Sequence, residues 1–365
     1  MNTILHEQQP VELRPVSTTR ARILELARRE ARLPIGADLV LHEQPDVPGI
    51  LRDGERLGRV IAEAARRFQS PLAMPLMDLT LEKEWLLSAL QVPAAQIPAF
   101  HFAGAVPVRM PDARLTARLR ATTGALHYIA HETDLVPVGM CIGPFSLMTK
   151  LVADPITPVF LAGMGERDAD VQRVEATLAL ALQVVVRSVV AQLSAGARAI
   201  MVCEPAANTT YFSPNQLAAG SDVFDRYVLA LNRRLRTLLA EYGAELIFHD
   251  CGELTDDMVR AFGALAPAML SLGSSRSLAR DARLVPADVV LFGNLPTKKF
   301  YSDEAMPVAA VARQTRQLLR EMRTTGHPFI LGSECDVLSV PGRTAAIWEK
   351  VRTFLSCPVD EPPVD

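Results

Sequence analysis

The chain has 365 residues, 49% of them hydrophobic, enough to bury a large core as one big α/β domain with an extension or as two domains. A formal charge of −3 is nearly balanced, which argues against a nucleic-acid partner and against an anionic membrane surface. Five widely spaced cysteines, Cys141, Cys203, Cys251, Cys335 and Cys357, fit thiols kept reduced in a cytoplasm rather than a disulfide framework.

Residues 1–14 carry His6, Glu7, Gln8, Gln9 and Pro10 without an apolar run, so no secretory signal is read there, and residues 1–16 are expected as a loose arm. Residues 18–32 place Ile23, Leu24, Leu26 and Ala27 on one side and Arg20, Arg22, Arg28, Arg29 and Arg32 elsewhere. That is a helix with a basic outer face, more often a solvated surface than an anion site. After a Pro/Gly/Asp-rich loop over residues 34–55, residues 57–68 make a second helix. Residues 1–70 therefore read as an N-terminal arm and helical extension.

The alternation that follows sets the fold. Residues 71–77 are short and apolar, end at Asp78, and hand over at Thr80 to a helix with Glu82 and Glu84 in its first turn. Residues 136–142 and 198–203 repeat the theme, followed by Gly143-Pro144 and by Glu204-Pro205, with a helix from about residue 213 to residue 241. Further apolar runs stand at residues 246–249, 269–272, 289–292 and 328–331, and helices at residues 303–325 and 343–354. The most apolar stretch, residues 178–190, is interrupted by Gln183, Arg187 and Ser188; it is too short and too polar to span a bilayer and reads as a buried amphipathic helix.

Continuous apolar strands separated by helices mean parallel strands covered on both faces. Seven or eight such units, with neither GxGxxG nor GxxxxGK[ST] anywhere, favour a (β/α)8 TIM barrel over a nucleotide-binding open sheet. The barrel is read over residues 71–357, with residues 358–365 as a tail. In a barrel the residues that end the strands collect at one mouth, so Asp78, Glu204, His249, Cys251, Asn294, Glu334 and Cys335 are expected to face one cavity.

Among these, His249 and Cys251 stand two apart in an extended run, so they project together, about 6 to 7 Å apart at Cα. With Cys335 as a third ligand they make the donor set of a catalytic zinc, three protein ligands and one open position. By spacing alone the pair is weak, since 7 His and 5 Cys in 365 residues give a chance His-x-Cys roughly 0.1 times (7×5/365), and isolated buried cysteines are usually packers. Its position at the carboxyl end of a strand-like run favours ligation. Cys141 and Cys203 lie inside strand-like runs and read as core, Cys357 as incidental.

The stretches Met77-Asp78-Leu79-Thr80-Leu81-Glu82, Gly143-Pro144-Phe145-Ser146-Leu147, Cys203-Glu204-Pro205-Ala206-Ala207, His249-Asp250-Cys251-Gly252, Gly293-Asn294-Leu295 and Ile330-Leu331-Gly332-Ser333-Glu334-Cys335 together resemble the uroporphyrinogen decarboxylase superfamily over roughly residues 55–357. Within it they resemble the zinc methyltransferase branch that includes the methylcobalamin:coenzyme M methyltransferases. The resemblance implies a (β/α)8 barrel, zinc on His249, Cys251 and Cys335, and methyl transfer between a corrinoid and a small thiol or a methylated small molecule. No corrinoid-binding segment is identified, so that cofactor is expected on a partner protein docking over the mouth; a homo-oligomer is the other partner left open. The chain is also similar to the catalytic barrel of cobalamin-independent methionine synthase, with a comparable spacing of 84 positions (335 − 251) between the cysteines. That relative's acidic zinc ligand falls on Gly273 here, which leaves the fourth place to water, substrate, Glu204 or Glu334.

Supporting roles follow by position. Glu204 is expected to orient a substrate group or His249, and Asp78 and Asn294 to act similarly, with helix capping or loop bonding the alternative for each. Tyr211 and Phe212 either shape the pocket or pack. Two other functions compete. A tetrapyrrole decarboxylase would use an Arg-Gln-Ala-Gly-Arg segment absent from this chain, and a non-catalytic metal-binding barrel would keep the ligands without the chemistry.

Overall fold

The computed structural model describes residues 18–359, so the arm read over residues 1–16 and the tail residues 360–365 lie outside it. Eight parallel strands form one curled sheet: β1 (Arg32–Ile35), β2 (Leu72–Ala73), β3 (Val136–Ile142), β4 (Ala199–Cys203), β5 (Glu245–Asp250), β6 (Met269–Leu272), β7 (Val290–Leu295) and β8 (Phe329–Asp336). Their order, β1-β8-β7-β6-β5-β4-β3-β2, with helices between successive strands, is that of a (β/α)8 TIM barrel.

Every residue of β3, β4, β5 and β6 is buried. Alternate side chains divide between two cores, as the pleat dictates. Val138, Met140, Ala199, Met201, Ile247, Met269, Val290, Phe292 and Ile330 fill the interior of the barrel. Ile200, Val202, Leu246, Phe248, Leu270 and Leu331 face the helices outside. Both faces are apolar because both are covered, which is why the strands read as unbroken hydrophobic runs.

The helix Thr18–Arg28 plugs the amino-terminal end of the barrel, with Ile23, Leu26 and Ala27 joining the interior cluster. Its basic face is a fastening. Arg20 donates to Ala266 O at 2.8 Å and Asp288 O at 3.1 Å, and Arg22 to Asp134 O at 3.3 Å, all just ahead of strands. Arg32 donates to Cys357 O at 2.8 Å and Phe354 O at 3.2 Å, satisfying carbonyls at the end of the last helix, Thr344–Ser356.

The boundary read at residue 70 is corrected by β1, which lies within the supposed extension and pairs with β8. Four residues, one of them Pro34, carry too little periodicity to stand out from a loop. β2 keeps two residues of the seven-residue run, and no backbone hydrogen bond joins it to β1 among the described residues, so the ring has a seam there. The helix read over residues 213–241 is two pieces, Pro214–Ala218 and a second that opens with a π turn, Asp225–Leu229, and runs on directly into Ala230–Glu241. Gly220, at φ 93°, turns the chain after the first piece.

The apolar stretch around residues 178–190 belongs to a longer helix, Ala169–Ser194, of 26 residues. Its hydropathy of 1.7 and its length would suit a membrane, but 56% of the apolar window is buried in this fold. Val174, Ala181, Val185 and Val189 pack in the outer core, and Gln192 exchanges hydrogen bonds with the Met140 backbone, accepting from N at 2.9 Å and donating to O at 2.8 Å.

Candidate functional site

His249 is the fifth residue of β5, Cys251 follows the strand directly, and Cys335 is the seventh residue of β8. One donor atom from each lies within 4.8 Å of the others, and no fourth His, Cys, Asp or Glu among the described residues joins them. Strand parity explains His249 and Cys251, which share the inward face with Ile247. It does not explain Cys335. Leu33 pairs with Gly332 but Ile35 with Asp336, so β8 carries two extra residues opposite one step of β1. Strict alternation from the outward-facing Leu331 would turn Cys335 outward, yet it lies with His249 and Cys251 at the end of β8, in the stretch where the pairing with β1 is irregular.

The imidazole is oriented by its neighbour on β6. His249 and Ser271 are register partners, and His249 Nδ1 meets Ser271 Oγ at 2.8 Å. The ring is 1% exposed, and Nε2 is buried with no hydrogen-bond partner. A buried imidazole nitrogen without a partner, beside two thiols, is the donor pattern of a metal site, and sulfur with imidazole suits zinc. The cluster is therefore able to bind a metal.

The two thiols share a proton unequally. A hydrogen bond from Cys335, helped by His249 and by the charge of Lys298, holds Cys251 well below the ordinary thiol range, while the same bond and burial push Cys335 up. Lys298 Nζ donates to Cys251 Sγ at 3.3 Å, and the sulfurs together with Glu334 raise the pKa of Lys298 against the opposing effect of burial.

The remaining strand-end residues do structural work. Glu204, fully buried, accepts from Ser146 N at 2.8 Å, Phe145 N at 3.2 Å and Asn232 Nδ2 at 3.1 Å; burial raises its pKa and these bonds resist the rise. The carboxylate fits because Gly143 has no Cβ to meet it. Asp78 pairs with Arg118 and accepts from Thr80 Oγ1 at 2.6 Å. Asn294 donates to Gly273 O at 2.8 Å and Arg276 O at 2.9 Å, holding the turn after β6. Glu334 accepts from Ser274 Oγ at 2.5 Å and N at 3.2 Å, and from Lys298 N at 3.4 Å. Tyr211 and Phe212 both pack on Phe145, and Phe212 is buried. Cys141 and Cys203 are buried, and so is Cys357.

Sequence reasoning missed Ser271 and Lys298. A lone hydroxyl inside the apolar run of β6 was a usable signal for the first. Nothing in Thr297-Lys298-Lys299 announced the second. Gly273 also has a definite reason: a Cβ there would lie 2.7 Å from Cys251 O and 2.8 Å from Cys251 Cα, so an acid cannot stand at this position without moving a ligand.

A model of the family described as Uroporphyrinogen decarboxylase (URO-D) matches residues 37–353. No curated protein sequence matches the chain. Among solved structures, a methyltransferase from Methanosarcina mazei superposes with a TM-score of 0.63 at 15% identity, covering 93% of this chain and 98% of that one. This likeness bears on the fold.

Proposed function

The chain belongs to the uroporphyrinogen decarboxylase family, and from that premise we propose that it is a zinc-dependent methyltransferase. It moves a methyl group between a corrinoid carried by a partner protein and a small thiol or a methylated small molecule. The observation that carries this reading is the unpartnered, buried Nε2 of His249 beside Cys251 and Cys335. The name of the Methanosarcina structure agrees with it.

His249, Cys251 and Cys335 would hold the metal. Bound there, zinc would supply a Lewis acid that lowers the pKa of a thiol substrate, so that its nucleophilic thiolate is favoured near neutral pH and the proton passes to solvent. The protein's own part is preparation. Ser271 fixes the imidazole orientation, and Lys298 favours the thiolate of Cys251 before any ligand arrives. Gly273 supplies no fourth ligand, and Glu204 and Glu334 are committed to backbone and side-chain donors. The open position is thus left to substrate.

The decarboxylase reading asks for several cations around a polyacidic ring, whereas one ammonium, that of Lys298, is hydrogen-bonded at the cluster among the described residues. Five free cysteines favour a reducing, cytoplasmic setting.

The test is metal content by elemental analysis of wild type and Cys251→Ala, followed by thiol-dependent demethylation of free methylcobalamin. The reading expects about one zinc per chain, lost in a folded variant together with activity. Wild-type protein that is metal-free and takes up no added zinc would overturn it.

A further inference from the structure

A second cavity opens beside the barrel mouth, with a volume of about 580 Å³. It is built by the segments that follow β2 and β3: the helix Leu81–Ala89, the turn Ala94–Gln96, the start of the helix Ala117–Glu132 and the residue after the helix Pro144–Thr149. Lys83, Lys150, Arg118, His101, Glu84 and Ile97 stand in its wall. None of these is a ligand of the metal cluster.

The charges in this wall do not balance. Lys83 is 7% exposed, and its Nζ donates to Lys150 O at 2.8 Å and Pro98 O at 3.1 Å. An ammonium has three N–H donors, so one is left. The nearby carboxylates are already taken, since Arg118 pairs with Asp78 and, at 2.8 Å, with Glu84. Neither Lys83 nor Lys150 has a carboxylate within ion-pair distance among the described residues. Three cations, Lys83, Lys150 and Arg118, therefore line this cavity against one carboxylate, Glu84, with Asp78 outside it bound to Arg118.

A buried ammonium without a counter-ion carries a desolvation penalty that neutral carbonyls offset only in part. Burial and the charge of Lys150 accordingly press the pKa of Lys83 down. An anion in the cavity would relieve both strains. Ala94, Ile97 and Pro98 add an apolar wall for the body of such a molecule. The volume falls within the ~300–1,000 Å³ of small-molecule pockets.

We propose that this cavity is a second binding site, for a small molecule bearing a carboxylate or a phosphate, held by Lys83 and Lys150. The site owes nothing to the metal and goes beyond the methyltransferase reading.

The test is calorimetric titration of the full chain with inorganic pyrophosphate and, separately, with glutarate, against sodium chloride at matched ionic strength. The first probe reports phosphate recognition and the second carboxylate recognition. Saturable binding of at least one is expected, weakened tenfold or more in Lys83→Gln and in Lys150→Gln and unchanged in the exposed-surface variant Arg313→Gln. Lys150 is half-buried and its ammonium has no hydrogen-bond partner among the described residues, so its variant reads the site even where Lys83→Gln compromises folding. Binding of neither anion above the salt control, or binding that survives the Lys150 substitution, overturns the proposal.

Discussion

His249 Nδ1 lies 2.8 Å from Ser271 Oγ across the β5–β6 pairing, and this one bond decides which imidazole nitrogen is left for a metal. Replacing Ser271 by Ala frees the ring to turn. Metal affinity is expected to fall about 10- to 100-fold, with a fold cost of about 1 kcal/mol. Competition against a chelator of known affinity measures it; an unchanged affinity would mean that packing alone orients the imidazole.

Gly273→Asp offers the cluster a fourth carboxylate on paper. The new Cβ would collide with the Cys251 backbone, at 2.7 Å from its carbonyl oxygen. The variant is expected to lose metal rather than bind it more tightly, and to lose about 1–3 kcal/mol of stability from overpacking. Zinc content and denaturant unfolding of the purified variant decide between the two.

Lys298→Met removes the cation beside Cys251 Sγ. A positive charge favours thiolate, so its loss raises the thiol pKa. In metal-stripped protein the pH profile of Cys251 alkylation by iodoacetamide is expected to shift upward, with a several-fold slower rate at pH 6. A profile that does not move would show that the Cys335 hydrogen bond alone sets the thiolate.

Glu82 gives stability a dependence on pH. It is 1% exposed, Oε1 accepts from Ser188 Oγ at 2.7 Å and Oε2 has no partner. Burial, opposed by the Ser188 bond, raises its pKa from 4.5 to about 7. The folded protein then binds the proton that the unfolded chain releases, so stability is full below pH 4.5 and declines as pH rises toward 7. The loss is about 3 kcal/mol by linkage. In chelator, Glu82→Gln is expected to match wild type at pH 5 and exceed it at pH 8, by urea unfolding; equal slopes with pH in both proteins would refute the assignment.

The parallel strands were legible because burial on both faces leaves unbroken apolar runs, as at Val136–Ile142. The first strand was not, since Arg32–Ile35 is too short to show a period, and Leu72–Ala73 was read within a run longer than the strand it forms. His249 and Cys251 share a face by simple parity, so their partnership could be read from spacing. Cys335 joins them against the alternation counted from Leu331, at the end of β8 where the pairing with β1 is irregular, and no periodicity reveals that. Glu204 and Asn294 stand at strand ends as expected while Asp78 lies five residues beyond β2, and each is bonded to a neighbouring loop or helix, because a strand end also has turns to hold and backbone donors to satisfy.

The seam between β1 and β2 is the one place among the described strands where the ladder around the mouth is open. The metal-ligand strands β5 and β8 are joined by an unbroken ladder through β6 and β7, a stiff jaw in which no edge lies between the ligands. The same ladder runs on through β4 and β3 to β2, and across the seam Met77 N donates to Asp336 Oδ2 at 3.4 Å. The spacing of His249, Cys251 and Cys335 is therefore set inside the paired part of the sheet, whereas the segment after β2 borders its open edge and is held there by side chains, Asp78 on Arg118 and Lys83 on the Pro98 and Lys150 carbonyls.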